Sequence, residues 1–315
     1  MNELKRIFVT GHKGLVGGAL KEALMEDESV EIVTASKGEL DLRNREATLR
    51  FFMDRGPFDW VFLPAAVVGG IHANTARPVE FLDDNLRIAS SVMAAAATYK
   101  VGKLMFFGSS CIYPKEAQQP LKEESLLTGP PEPTNQWYAI AKIAGLKLAE
   151  AYWRMGHKFI SVMPCNLYGP GDNYDPKESH VIPGMIHKFH HAKMRQAAVE
   201  LFGDGTPLRE FLHVEDLARA CLRLMEVYTE RQFINIGSGF EVSIEDLAVA
   251  VAEAVGYDDA IIHWNTAMPN GTQRKVLNSS RIEKLGWQPK VDFRDGLRRA
   301  YQEYLRTPYC SYLYV

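Results

Sequence analysis

Ile7-Phe8-Val9-Thr10-Gly11-His12-Lys13-Gly14-Leu15-Val16-Gly17 is the stretch on which the fold turns. An apolar, strand-like run breaks at Thr10-Gly11, and from Leu15 to Met25 the apolar residues recur at helical spacing. Glycines between a strand and a helix allow a tight turn and let backbone approach a pyrophosphate, whose charge meets the helix N-terminus. Such a turn also occurs in loops that bind nothing. Its place directly after the first strand argues for a dinucleotide site.

Working outward, strand-like and helix-like segments alternate: a strand at 30–34, a helix at 45–53, a strand at 60–63 and a long helix at about 79–99. A strand at 103–107, a helix at 138–155 and a strand at 159–163 continue the series. This alternation predicts an α/β protein, a Rossmann-like doubly wound parallel sheet with helices on both faces. After about residue 165 the rhythm loosens around Gly169-Pro170-Gly171 and Pro176. Ser243 there reads as the N-cap of a helix with acids in its first turn, and 294–306 as a closing amphipathic helix. The expected organisation is a dinucleotide domain over 1–165, with 212–240 returning to it. Residues 166–315 form a smaller C-terminal α/β substrate lobe over the strand ends.

The chain of 315 residues has a net charge near −3 and its basic residues are dispersed, so nothing suggests a nucleic-acid partner. No apolar stretch approaches the roughly 20 residues that span a bilayer. The N-terminus shows no signal-peptide pattern, and the four cysteines, Cys111, Cys165, Cys221 and Cys310, lack ligand or disulfide spacing. A cytoplasmic protein with reduced thiols and no metal is expected. His187, His190 and His191 lie at helical spacing without an acid or cysteine nearby, and read as a solvated helix face.

The end of the second strand selects the cofactor. NAD sites usually carry an acid about 20 residues beyond the glycine turn, whereas this chain has Thr34-Ala35-Ser36-Lys37. Lys13 and Lys37 can both face a 2′-phosphate, which favours NADP, although Lys37 also fits a solvated loop. Asp41 could reach the adenine amine.

Tyr138-Ala139-Ile140-Ala141-Lys142 sets a phenol and an ammonium one helical turn apart. A free phenol titrates near 10. A neighbouring ammonium, with the charge of an oxidised nicotinamide, can lower that value toward neutrality. Alone the pair also suits a helix surface. Gly108-Ser109-Ser110 at the end of the preceding strand adds a hydroxyl able to bind a substrate carbonyl.

Together these residues resemble the extended short-chain dehydrogenase/reductase superfamily along the whole chain. The resemblance implies a triad of Ser109, Tyr138 and Lys142, with Lys142 also on the nicotinamide ribose. It implies cofactor contacts from Gly11, His12, Lys13, Gly14, Leu15, Val16, Gly17, Lys37, Asp41 and Leu42. Further contacts come from Ala65, Ala66, Phe107, Gly108, Ser109, Ser110, Pro164, Cys165, Asn166, Leu167 and His180, with the Cys165 thiol serving packing. Nucleotide-sugar substrates and a homodimer through the helices at 79–99 and 138–155 are also implied.

Ser109-Ser110-Cys111-Ile112-Tyr113-Pro114, Pro133-Thr134-Asn135, Asn166-Leu167-Tyr168-Gly169-Pro170, Ser179-His180-Val181-Ile182-Pro183 and Arg209-Glu210-Phe211 are similar to the GDP-L-fucose synthase family. That family epimerises GDP-4-keto-6-deoxymannose at carbons 3 and 5, then reduces carbon 4 with NADPH. Protons beside a ketone are acidic because the carbanion becomes an enolate, and inversion needs a base on one face and an acid on the other. Cys111, just beyond Ser109, suits the base and His180 the acid, from reference pKa values near 8.5 and 6.5. Ser109 and Tyr138 would hold the enolate oxygen.

For the GDP-linked keto-deoxy sugar, Arg209 can fork onto phosphate. Lys188, Phe202 and Asn270 fall at the family's substrate positions. Asn270 stands where aspartate is common, Val67 where lysine is, and Trp137 beside Tyr138 is uncommon. A reductase-only relative acting on a deoxyheptose or colitose precursor is therefore an alternative. So are an NAD-holding 4-epimerase, which Lys13 and Lys37 disfavour, and a non-catalytic NADP-binding protein.

Overall fold

The computed structural model describes residues 4–268 and 270–311, so the reading of the first three residues lies outside it. The first half of the chain forms β1 (Lys5–Val9), α1 (Leu15–Leu24), β2 (Val30–Val33), α2 (Arg45–Arg55), β3 (Trp60–Leu63), α3 (Ile71–Ala76), α4 (Asn85–Thr98), β4 (Lys103–Phe107), α5 (Gln136–Arg154) and β5 (Phe159–Pro164). Then come β6 (Asn166–Tyr168), α6 (Val181–Arg195), β7 (Val199–Phe202), β8 (Leu208–His213), α7 (Val214–Val227), β9 (Ile234–Ile236) and β10 (Glu241–Ser243). The chain continues through α8 (Ile244–Val255), β11 (Ile262–Asn265), β12 (Arg274–Lys275), α9 (Ser280–Glu283) and α10 (Phe293–Tyr304).

Six strands pair in parallel in the order β2-β1-β3-β4-β5-β9. Strands β4 and β5 are buried along their whole length, as expected of a sheet covered on both faces. Helix α1 packs on α7, while α4 packs on both α2 and α5. The order reverses between β1 and β3, and the crevice at such a switch point is where an open α/β sheet takes its ligand. One core joins Phe8, Phe62, Leu104 and Val162 to Leu217, Leu224 and Ile234 of the later chain. A second gathers Tyr168, Ile186, Phe189, Val251, Leu297 and Tyr304. In this second body β8 lies between β10 and β12 and also pairs with β6. Ser243 caps α8 by accepting from the Asp246 amide.

The helix expected over 79–99 starts differently. Residues Glu80–Asp84 wind as a wide π turn before α4 begins. The buried Asn85 amide explains the pause: it accepts from Val67 N at 2.8 Å and donates to the carbonyls of Val67 and Phe81 at 3.0 and 2.8 Å. The loop after β3 is thereby pinned beside the crevice.

The histidines read as a solvated face are buried instead: His187, His190 and His191 are 4%, 8% and 7% exposed. Helix α10 lies across them, with the Tyr304 hydroxyl 3.0 Å from His187 Nδ1 and 3.2 Å from His191 Nε2, and Tyr301 Oη 3.0 Å from His190 Nδ1. Helical spacing could not reveal this, because the phenols come from more than a hundred residues away. Among the described residues the cluster is no metal site.

Burial, and then the charges of His191 and His190, hold His187 at about 4, below its ordinary 6.5. The unfolded chain therefore takes up this proton first as pH falls. The contribution to stability is complete above pH 6.5 and is lost progressively toward pH 4. The melting temperature should drop between pH 7 and pH 5; His213, also held at about 4, shares in that drop, and His187→Asn should reduce it. A melting temperature flat across this range, or a variant with unchanged pH dependence, contradicts this assignment.

Candidate active site

At the switch point Thr10 Oγ1 donates to the Phe62 carbonyl at 3.2 Å and accepts from Ala65 N at 3.2 Å, joining the turn after β1 to the loop after β3. Gly11 has φ +59, and a Cβ there would come within 3.1 Å of Ala65 Cα. A Cβ on Gly17 would meet the Gly11 carbonyl oxygen at 2.2 Å, so only glycine lets α1 start so close to the turn. The α1 N-cap, Gly14, supplies no side-chain cap, and His12 Nδ1 is buried without a partner. Unclaimed amides at a helix N-terminus and an orphaned imidazole nitrogen in a cradle too tight for side chains fit a diphosphate.

Lys13 and Lys37 are exposed. Asp41 is committed elsewhere. Its carboxylate binds Arg43 at 2.7 and 2.9 Å, which draws its pKa down to about 2. Arg43 also reaches Asp84 at 2.8 Å. This arginine, passed over in the sequence, is held between the Asp41 and Asp84 carboxylates.

At the far end of the crevice β4 leads through Gly108, whose amide donates to Val162 O at 2.8 Å. A Cβ on Gly108 would strike Met163 Sδ at 2.6 Å. Ser109 Oγ accepts from the Cys111 amide at 3.3 Å, closing a short 3-10 turn. The same hydroxyl lies close enough to the Tyr138 phenol to act against the rise in its pKa. Tyr138 and Lys142 lie on one face of α5. Lys142 is buried, with Nζ 2.7 Å from the Phe107 carbonyl and 5.5 Å from the Tyr138 ring centroid.

The electrostatics differ from the expectation of a phenol made acidic by its lysine. Desolvation, and then the Cys111 charge, push the Tyr138 pKa above normal, opposed by the Ser109 hydroxyl. Desolvation alone draws Lys142 down to about 7. The reason is packing: the lysine is spent on a carbonyl, and the phenol lies edge-on to Phe81.

A cation the sequence reading missed stands between the remaining groups. Lys275 Nζ donates to Cys111 Sγ at 3.6 Å. His180, the N-cap of α6, is accessible, yet crowding around its ring and then the Lys275 charge hold its pKa below normal. Strand β12 is two residues long, so it has no periodicity by which the sequence could have betrayed it.

Lys275 pairs in register with Arg209. The Arg209 guanidinium is desolvated, which lowers its pKa, and Nη1 donates to Leu208 O at 2.9 Å. Gly271 approaches its Nη2 so closely that a Cβ would lie 3.5 Å away. Asn270 Oδ1 accepts from Asp204 N at 2.9 Å, and Lys188 Nζ sits 4.3 Å over the exposed Phe202 ring. Cys165 is buried and its thiol pKa is raised by desolvation.

A Rossmann-like sheet with a glycine turn after β1 and this phenol–lysine pair on α5 defines a dinucleotide-dependent class of enzyme. The chain belongs to the NAD dependent epimerase/dehydratase family, whose sequence profile matches residues 7–237. It is 49% identical over 305 residues to GDP-L-fucose synthase 1 of Arabidopsis thaliana, covering 96% of this chain and 94% of that one. Among solved structures, the GDP-mannoheptose C4 reductase from Campylobacter jejuni with NADP bound matches with a TM-score of 0.86 and 34% identity, over 97% of this chain and 99% of that chain. A GDP-L-fucose synthetase from Naegleria fowleri bound to NADP matches with a TM-score of 0.89 and 28% identity, over 97% and 94%.

Proposed function

We propose that the chain converts GDP-4-keto-6-deoxy-D-mannose to GDP-L-fucose, epimerising carbons 3 and 5 and then reducing carbon 4 with NADPH. The observation that carries this reading is that Ser109, Cys111 and Tyr138 share one site with Lys275, which also faces His180. A reductase needs the phenol, the lysine and the serine. It has no use for a thiol and an imidazole flanking a cation.

The Cys111 thiolate takes the carbon-bound proton, and the electron pair moves onto oxygen 4 as an enolate held by the Ser109 and Tyr138 hydroxyls. His180 returns a proton to the opposite face. Gly11–Gly17 would hold the NADPH diphosphate, Lys13, Lys37 and Arg43 would serve a 2′-phosphate, and the bound cofactor would supply the hydride for carbon 4. Tyr138 protonates oxygen 4, and Lys142 steadies the resulting phenolate. Arg209 and Lys188 hold the diphosphate, with Phe202 and Asn270 lining the same corner.

No helix among the described residues is long and apolar enough to cross a membrane, and the free thiols suit a reducing cytoplasm. A homodimer through α4 and α5 is part of this proposal, and the exposed Val79, Trp137 and Ile140 nearby are in keeping with it. Asn270 and the likeness to a C4 reductase keep the reductase-only reading as the alternative.

Substrate choice is tested by following NADPH oxidation over a panel of GDP-linked keto sugars. GDP-4-keto-6-deoxy-D-mannose should give the highest kcat/KM. A heptose substrate preferred by more than about tenfold, roughly 1.4 kcal/mol of transition-state binding, would overturn the assignment.

A further inference from the structure

We infer that Glu210 is a positioning residue for the epimerisation proposed above: its carboxylate fixes the strand that holds Lys275 against Cys111. Glu210 lies on β8 and is 0% exposed. Its Oε2 accepts from Leu277 N at 2.9 Å and its Oε1 from Gly239 N at 2.8 Å. A Cβ on Gly237 would come within 2.3 Å of Oε1, so the carboxylate lies flat on the turn that leaves β9.

Among the described residues no cation offsets this buried charge. Burial raises the Glu210 pKa above the ordinary carboxylate value and Glu241 adds to this, while the backbone amides of Leu277, Gly239 and Ser238 act against the rise. A carboxylate kept out of water without a cation is costly unless its lone pairs are filled, so the geometry of these amides is tightly specified.

The three anchored segments have different addresses. The Gly237–Gly239 turn follows the last strand of the main sheet, and Leu277 follows β12, two residues beyond Lys275. Glu210 itself follows Arg209, the register partner of Lys275. The carboxylate thus clamps β12 to the end of the main sheet, and the placement of Lys275 near Cys111 depends on that clamp. Glu210 touches none of Ser109, Tyr138 and Lys142, so the reduction machinery is not held by it.

The test uses the full chain with NADP and GDP-4-keto-6-deoxy-D-mannose in deuterium oxide, following deuterium entry at carbons 3 and 5. Glu210→Gln points an amide N–H at a backbone N–H; exchange should fall by at least about tenfold, with the NADPH dissociation constant changed less than about twofold. Glu210→Asp, which keeps the charge, should fall between this variant and wild type. Lys275→Met should also slow exchange, and E210Q/K275M should be no slower than K275M alone, because Glu210 acts through Lys275. Wild-type exchange in E210Q, or losses that multiply in the double variant, would overturn the role of Glu210 while leaving the epimerase reading intact. If E210Q does not fold, E210D carries the same cycle with K275M. Absence of exchange in the wild type overturns the epimerase reading and this inference with it.

Discussion

Tyr138→Phe should lower the turnover of NADPH-dependent reduction by about 10³-fold, while NADPH still binds with near wild-type affinity. In the proposed reaction the phenol protonates the oxygen that becomes an alkoxide at carbon 4. Burial beside Phe81 keeps it above its ordinary pKa, and hence protonated at neutral pH. For a reductase this is the useful poise, because the acid must hold its proton until the carbonyl is reduced. The phenolate that remains then faces Lys142, whose Nζ is 5.5 Å from the ring centroid and whose pKa of about 7 keeps a protonated fraction at neutral pH. Deuterium exchange beside the carbonyl should survive in this variant, since Ser109 still binds the enolate oxygen. Reduction within about threefold of wild type, far short of the 10²–10⁴ expected of a positioned acid, would remove Tyr138 from the mechanism.

Cys111→Ser should abolish exchange at carbons 3 and 5, by about 10³-fold, and with it formation of the epimerised product. A hydroxyl fits the space but is a far weaker base under the same conditions, and the ammonium 3.6 Å away cannot compensate. The fold should not suffer, because the half-buried thiol lies on a short turn capped by Ser109 rather than in the core. Exchange at the wild-type rate in Cys111→Ser would remove Cys111 as the base.

Much of this arrangement was legible in the chain because it depends on local geometry. Gly11, Gly14 and Gly17 act within one turn, and Tyr138 and Lys142 within one helix, so spacing alone places them. The alternation of strands with helices forces the parallel sheet. What stayed hidden depends on residues distant in sequence. Lys275 meets Cys111 across 164 positions, from a two-residue strand with no pattern. Glu210 finds its amides at residues 239 and 277, and backbone partners leave no mark in a sequence. Arg43 resembles any surface arginine until Asp41 and Asp84 are seen to hold it. The histidines of α6 misled for the same reason: their polar spacing suggested water, but the phenols of α10 replace it.

The acidity of the phenol shows a different limit. The helix fixes where Lys142 stands, but its hydrogen bond to the Phe107 carbonyl, 2.7 Å long, is a matter of tertiary packing. Spacing predicted the pair, and burial shifts the pKa values of both groups away from their ordinary ones.

One measurement bears most directly on the shared site: conversion of GDP-4-keto-6-deoxy-D-mannose by the wild-type protein with unlabelled NADPH in deuterium oxide, with the product read by NMR. Deuterium at carbons 3 and 5 and ordinary hydrogen at carbon 4 is the expected pattern, because the first two positions exchange with solvent through Cys111 and His180 and the third receives its hydrogen from the cofactor. A product without deuterium at carbons 3 and 5 would contradict the epimerase chemistry, and deuterium at carbon 4 would contradict the reduction.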